Sequence, residues 1–192
     1  APMQIVIVPI YRNEEGKNSV LPKVEEIQNK LESKDIRIHV DDREGLSPGY
    51  KFNDWELKGV PLRIEIGPKD IENQKIVVAK RYNLEKIDLS FEEIEKIPLI
   101  LDEIQVEMLK KAKEQAQNNT LEITDYLEFK SKIEKGGFFN SPWCGKLECE
   151  DKIKEETGAE IRVIPFNSED NTKECIYCKE PSTSIPIFAR GY

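Results

Sequence analysis

No cysteine occurs in the first 143 residues of this 192-residue chain; all four fall in its last quarter. There is one histidine, His39, placed on the polar side of a strand, and a Cys–His nucleophile pair is conceivable only if the cysteines are not metal ligands. No G-x-G-x-x-G follows the first apolar run and no G-x-x-x-x-G-K-[ST] occurs anywhere, which removes the usual phosphate cradles. The chain therefore offers no visible catalytic residues. Its longest apolar run, Ile5 to Ile10, is far short of the roughly 20 residues that a membrane helix needs, and no basic segment precedes it. The expectation is a cytoplasmic protein with no membrane partner. A net charge of −8 argues against a non-specific nucleic-acid binder, although a selective one stays open. Ala1-Pro2 ahead of Met3 reads as an internal piece of a longer chain.

What is present is a well-mixed globular composition, 38% hydrophobic and 34% charged. Ile5 to Ile10 reads as a buried strand, and Leu21, Val24, Ile27 and Leu31 follow at helical spacing. A strand over 35–43 and a short helix entered through Pro48-Gly49 come next. "PLRIEIGP" alternates Leu62, Ile64 and Ile66 inward with Arg63 and Glu65 outward, and "KIVVAKRY" can return on it as a hairpin. A long helix then carries Ile97, Leu101, Ile104, Met108 and Ala112 as its stripe and ends near 118. These elements predict an α/β domain over 1–118, a mixed sheet flanked by helices, followed by a small α+β domain over 119–192.

The late cysteines explain that second domain. Four residues separate Cys144 from Cys149, two separate Cys175 from Cys178, and 25 lie between the pairs. Two short-spaced pairs suit tetrahedral Zn²⁺, and four thiolates with no open position make a structural site. Two disulfides or an iron–sulfur cluster are the rivals; the first needs an oxidising compartment and very small loops. Phe138, Phe139 and Trp143 are expected to form the small core beside the metal.

A second constellation lies in "GYKFNDWELKGVPLRIEIGPKD". Phe52, Glu56, Arg63, Lys69 and Asp70 mix an aromatic face, two carboxylates and two cations, and residues 41–81 hold eight basic and eight acidic side chains. Such a mix can select a base: guanine offers N–H donors to a carboxylate and an O6 acceptor to Arg or Lys. The bland alternative makes Phe52 a core residue and the rest solvated or paired surface charges.

These stretches resemble the C-terminal part of prolyl-tRNA synthetase of the archaeal and eukaryotic type. "DDREGLSPGYKFNDWELKGVPLRIEIGPKD" is similar to that family's anticodon-binding domain, and "KGGFFNSPWCGKLECEDKIKEETGAEIRVIP", "CIYC" and the final "FARGY" to its zinc-binding extension. The resemblance implies recognition of two guanines in the anticodon stem-loop of proline tRNA by Phe52, Glu56, Arg63, Lys69 and Asp70, with Lys80 and Arg81 as further candidates. It also implies that ATP and Mg²⁺ serve only an upstream catalytic domain of the same chain, that the parent ligase is a homodimer, and that Tyr192 reaches that domain with its free carboxylate. The competing reading is an accessory or protein-interaction module held together by zinc, without RNA function. From pattern alone, "SIPIFARGY" reads as an edge strand.

Overall fold

Apolar on both faces, β1 (Ile5–Pro9) sits inside a sheet: it pairs in parallel with β2 (Ile38–Val40) on one side and with β3 (Leu62–Ile66) on the other. A computed structural model describes this arrangement for residues 1–170 and 172–191. The chain leaves β1 through α1 (Glu14–Glu32), whose first turn is capped by the Asn13 side chain accepting from the Gly16 amide. It returns from β2 to β3 through α2 (Pro48–Leu57), capped by Ser47. A short helix, α3 (Pro68–Glu72), replaces the expected turn, and β4 (Lys75–Lys80) then pairs antiparallel with β3, as the hairpin reading requires. A strand that the sequence reading lacks, β5 (Lys86–Ser90), completes the order β2-β1-β3-β4-β5.

The sheet buries both faces. Ile5 and Ile7 join Leu62, Ile64 and Ile66 in a core with Val20, Val24, Ile27 and Leu31 of α1, while Val6, Val8 and Val60 pack with Phe52 and Trp55 of α2. After a 3₁₀ turn at Glu92–Lys96, α4 (Ile97–Asn118) adds Ile97, Ile100 and Ile104 to the first core. The expected stripe holds only in part. Ile97 and Ile104 are buried, but Met108 is 41% exposed and Ala112 is exposed, because the helix runs on beyond the core its first turns cover.

Two compact units divide the chain, residues 1–110 and 111–192. In the second, β6 (Thr120–Glu122), β7 (Phe138–Asn140), β8 (Ala159–Val163) and β9 (Ile187–Arg190) form a sheet of order β6-β7-β9-β8. β9 is thus an interior strand, not the expected edge strand, because β7 and β8 pair with its two sides. Two helices accompany the sheet, α5 (Tyr126–Ile133) and α6 (Leu147–Thr157). Phe129 stands edge-on to both Phe139 and Phe188, each at 5.6 Å between ring centroids. Phe139 and Trp143 belong to this core, but Phe138 is 43% exposed: consecutive strand residues point to opposite faces, so only one of the pair is buried. Tyr192, expected to carry a functional carboxylate, lies outside the described residues.

Candidate nucleic-acid interface and metal centre

Strand alternation sends Arg63 and Glu65 of β3 to the face opposite Leu62, Ile64 and Ile66. The expectation that they face solvent is overturned. Arg63 is 8% and Glu65 7% exposed, because α2 covers that face of the sheet. Two buried charges persist only when paired. The Arg63 guanidinium lies 4.1 Å over the Phe52 ring, donates to Glu56 Oε1 at 2.6 Å, and reaches Glu65 Oε1 through Nε at 3.1 Å and a terminal nitrogen at 3.0 Å. Lys86 closes the chain on Glu65 at 2.9 Å. The result is an alternating row, Glu56–Arg63–Glu65–Lys86, whose outermost carboxylate is Glu56, a third exposed.

Glu56 and Arg63 line a cleft of about 230 Å³ together with Trp55, Val60, Lys80 and Arg81. Lys80 is paired with Glu85 at 3.0 Å, whereas Arg81 is exposed at the rim. The structure therefore brings four of the expected residues, Glu56, Arg63, Lys80 and Arg81, to one cleft, with Phe52 packed against Arg63. Lys69 and Asp70 are elsewhere. They line a separate cleft of about 470 Å³ with Tyr11, Arg12 and Asn13, beyond the carboxyl ends of β1 and β3, where the connections leave the sheet in opposite directions. Asp70 there accepts from the Gly67 amide at 2.8 Å and caps α3.

What the sequence reading missed is the mount for α2. Asp41 is fully buried, and its carboxylate accepts from Arg43 at 2.7 and 2.8 Å and from the Trp55 indole at 2.8 Å. Lys51 donates to the Asp41 carbonyl at 3.0 Å, and Arg43 also reaches Asp54 at 2.7 Å. Burial pushes the Asp41 carboxyl up, but the Arg43 and Trp55 donors outweigh it and hold the group well below the usual carboxylate range. Lys51 and Trp55, one helical turn apart on α2, were the available signal.

In the second unit the four cysteine sulfurs lie within 4.8 Å of one another. Cys144 Sγ is 3.6 Å from that of Cys149 and 3.7 Å from that of Cys178. A tetrahedron with Zn–S bonds of about 2.3 Å has edges of about 3.8 Å, so the residues fit such an ion, while a disulfide needs about 2.05 Å. Burial pushes the Cys144 and Cys149 thiols up, and it also opposes charge on Cys175. Backbone amides of Cys178, Tyr177 and Cys144 nevertheless hold Cys175 below the ordinary thiol value. Four clustered thiols with amides aimed at one sulfur can hold a metal ion.

Comparison with known proteins agrees with both halves. The anticodon binding domain family matches residues 4–99, and the family described as prolyl-tRNA synthetase, C-terminal, matches 126–192. A proline–tRNA ligase of Acetoanaerobium sticklandii is 45% identical over the whole of this chain, and proline–tRNA ligase 2 of Clostridioides difficile is 43% identical. A proline–tRNA ligase of Cenarchaeum symbiosum is also 43% identical. In each case the chain spans 40% of the relative's length.

Proposed function

The chain belongs to the anticodon binding domain family, joined to a prolyl-tRNA synthetase C-terminal domain, and from that premise we propose that it reads the anticodon of proline tRNA for a proline–tRNA ligase. The observation that carries this reading is the carboxylate of Glu56. Arg63 holds one of its oxygens at the edge of a cleft whose other charged side chains, Lys80, Arg81 and Lys86, are cations. A guanine seated there would donate N1–H and N2–H to Glu56 and accept at O6 from Arg81 or Lys80. Arg63, Phe52 and Glu65 hold the carboxylate in place. Lys69 and Asp70, in the second cleft, would serve the other guanine or its phosphate.

The rest of the assignment follows from the same premise. Residues 1–118 are the anticodon-binding domain and 119–192 the zinc-binding domain, with Cys144, Cys149, Cys175 and Cys178 holding one structural Zn²⁺. The ligase reaction, with its ATP and Mg²⁺, belongs to a catalytic domain in the parent chain, a cytoplasmic homodimer. Tyr192 would reach that domain, so deleting it from the parent should lower prolyl-adenylate formation without changing anticodon selectivity.

A titration of a proline tRNA anticodon stem-loop at low salt tests the central claim. Binding should fall sharply when either shared guanine becomes adenine. Equal affinity for stem-loops with and without those guanines would overturn the reading.

A further inference from the structure

The second unit carries a basic groove in an otherwise acidic chain. A cleft of about 700 Å³ is lined by Lys135, Arg162 and Arg190, with Phe138 beside them and Glu134 as the one acid among the described residues. Arg162 has a single ion-pair partner among the described residues, Glu160, at 3.1 Å. Arg190 and Lys135 have no side-chain partner among the described residues. A chain with 37 acidic and 29 basic residues does not gather three cations against one acid without consequence for what can enter.

The backbone is shaped for the same end. A bulge interrupts the pairing of β8 with β9 between Ile161 and Val163, so Arg162 is the extra residue that bulges re-aim. The remaining wall is glycine. Gly136 and Gly137 follow α5 with φ of 80° and 115°, which a residue with a Cβ rarely adopts. A Cβ on Gly191 would lie 2.8 Å from an Arg162 nitrogen, so the bare backbone is what lets that guanidinium lie beside the strand end. Phe138, turned out of the core by strand alternation, leaves an exposed ring at the rim.

We propose that this groove is a second RNA site: Arg162, Arg190 and Lys135 take the phosphates of a single-stranded segment, and Phe138 stacks one of its bases. Cations tracking a backbone beside an aromatic platform are how single strands are held without sequence readout. The proposal deepens the tRNA reading and rests on it; the groove's carboxylate, Glu134, has no arginine holding it among the described residues as Arg63 holds Glu56, so the segment is bound without guanine readout and lies outside the anticodon loop.

The test uses this chain and a labelled ribohexamer of cytidine and uridine, lacking guanine. Binding at low salt should weaken about tenfold in Phe138→Ala, on the scale of one lost stacking contact. In Arg162→Ala/Arg190→Ala the slope of log affinity against log salt should shrink by about 1.4, two phosphate contacts at about 0.7 each. A hexamer that fails to bind, or binds these variants as it binds the wild type, overturns the groove alone if the stem-loop still discriminates guanine. Loss of guanine discrimination with hexamer binding intact would instead overturn the anticodon reading. Hexamer binding to this chain but not to the intact parent ligase would make the groove a joint within the parent and refute the RNA site.

Discussion

Glu56 and Arg63 meet at 2.6 Å across the boundary between helix and sheet, one on α2 and the other on β3. On the proposed anticodon reading the contact links stability to recognition, since Arg63, which holds Glu56, also neutralises buried Glu65 and stacks on Phe52. Arg63→Ala would leave Glu65 buried with Lys86 as its remaining partner. Losing one member of a buried pair costs roughly 3–5 kcal/mol, and that much should disappear from the unfolding free energy of the first unit in a denaturant titration. Arg63→Lys keeps the charge but not the fork, and should recover only part of it.

Glu56→Gln separates the two roles. The amide keeps the shape, and the residue is a third exposed, so stability should change little. Discrimination between guanine and adenine in the stem-loop should fall, because an amide NH₂ can now donate to adenine. Unaltered discrimination would move the reading group to another residue of the cleft.

Much of this arrangement was legible beforehand, and the failures have definite causes. The alternation of β3 identifies its two faces, but cannot say that the second is covered; that depends on α2 packing over Val6 and Val8, which are distant in sequence. Arg63 and Glu65 therefore read as solvent-facing. The Asp41 mount was hidden because its donors arrive from Arg43, Lys51 and Trp55, and no spacing rule joins a strand end to a helix interior. β5 was missed because Lys86 and Asp88 dilute a five-residue strand. The cysteine site was legible throughout, as two close pairs are a local signal and chelation tolerates whatever lies between them.

Asp41 also sets an acid limit. Its pKa is depressed in the folded state, so its contribution is full above the unfolded value of about 3.9 and is lost as pH falls below that. In that window the unfolded state binds the additional proton. Asp41→Asn should lower stability at neutral pH and flatten the decline below about pH 4; a variant with the wild-type acid slope would assign that slope to other carboxylates.

Gly137 offers a backbone test. Its φ is 115°, and a Cβ there would lie 3.0 Å from the Asn119 carbonyl, which accepts the Phe138 amide at 2.8 Å. Gly137→Ala should destabilise the second unit by roughly 1–3 kcal/mol, from backbone strain and the displaced pairing of β7. Gly49, helical and with open space around its Cα, should accept alanine without loss.

The metal prediction can be read by tryptophan, because the chain has two and each sits in a different unit. Trp55 packs against the first sheet with Val6 and Val8, whereas Trp143 adjoins Cys144 within the core that contains the thiols. The free energy of a structural site is largely folding free energy, so removing the ion should loosen the second unit and leave the first intact. A strong chelator should therefore shift the emission of Trp55→Phe, which reports Trp143 alone, and Zn²⁺ should restore it. The emission of Trp143→Phe should stay still under the same treatment. Cys144→Ser should resemble the chelated state without any chelator. Equal shifts from both tryptophans would mean that the two units unfold together, and a metal-free protein lighter by two hydrogens per cysteine pair would replace the ion with disulfides.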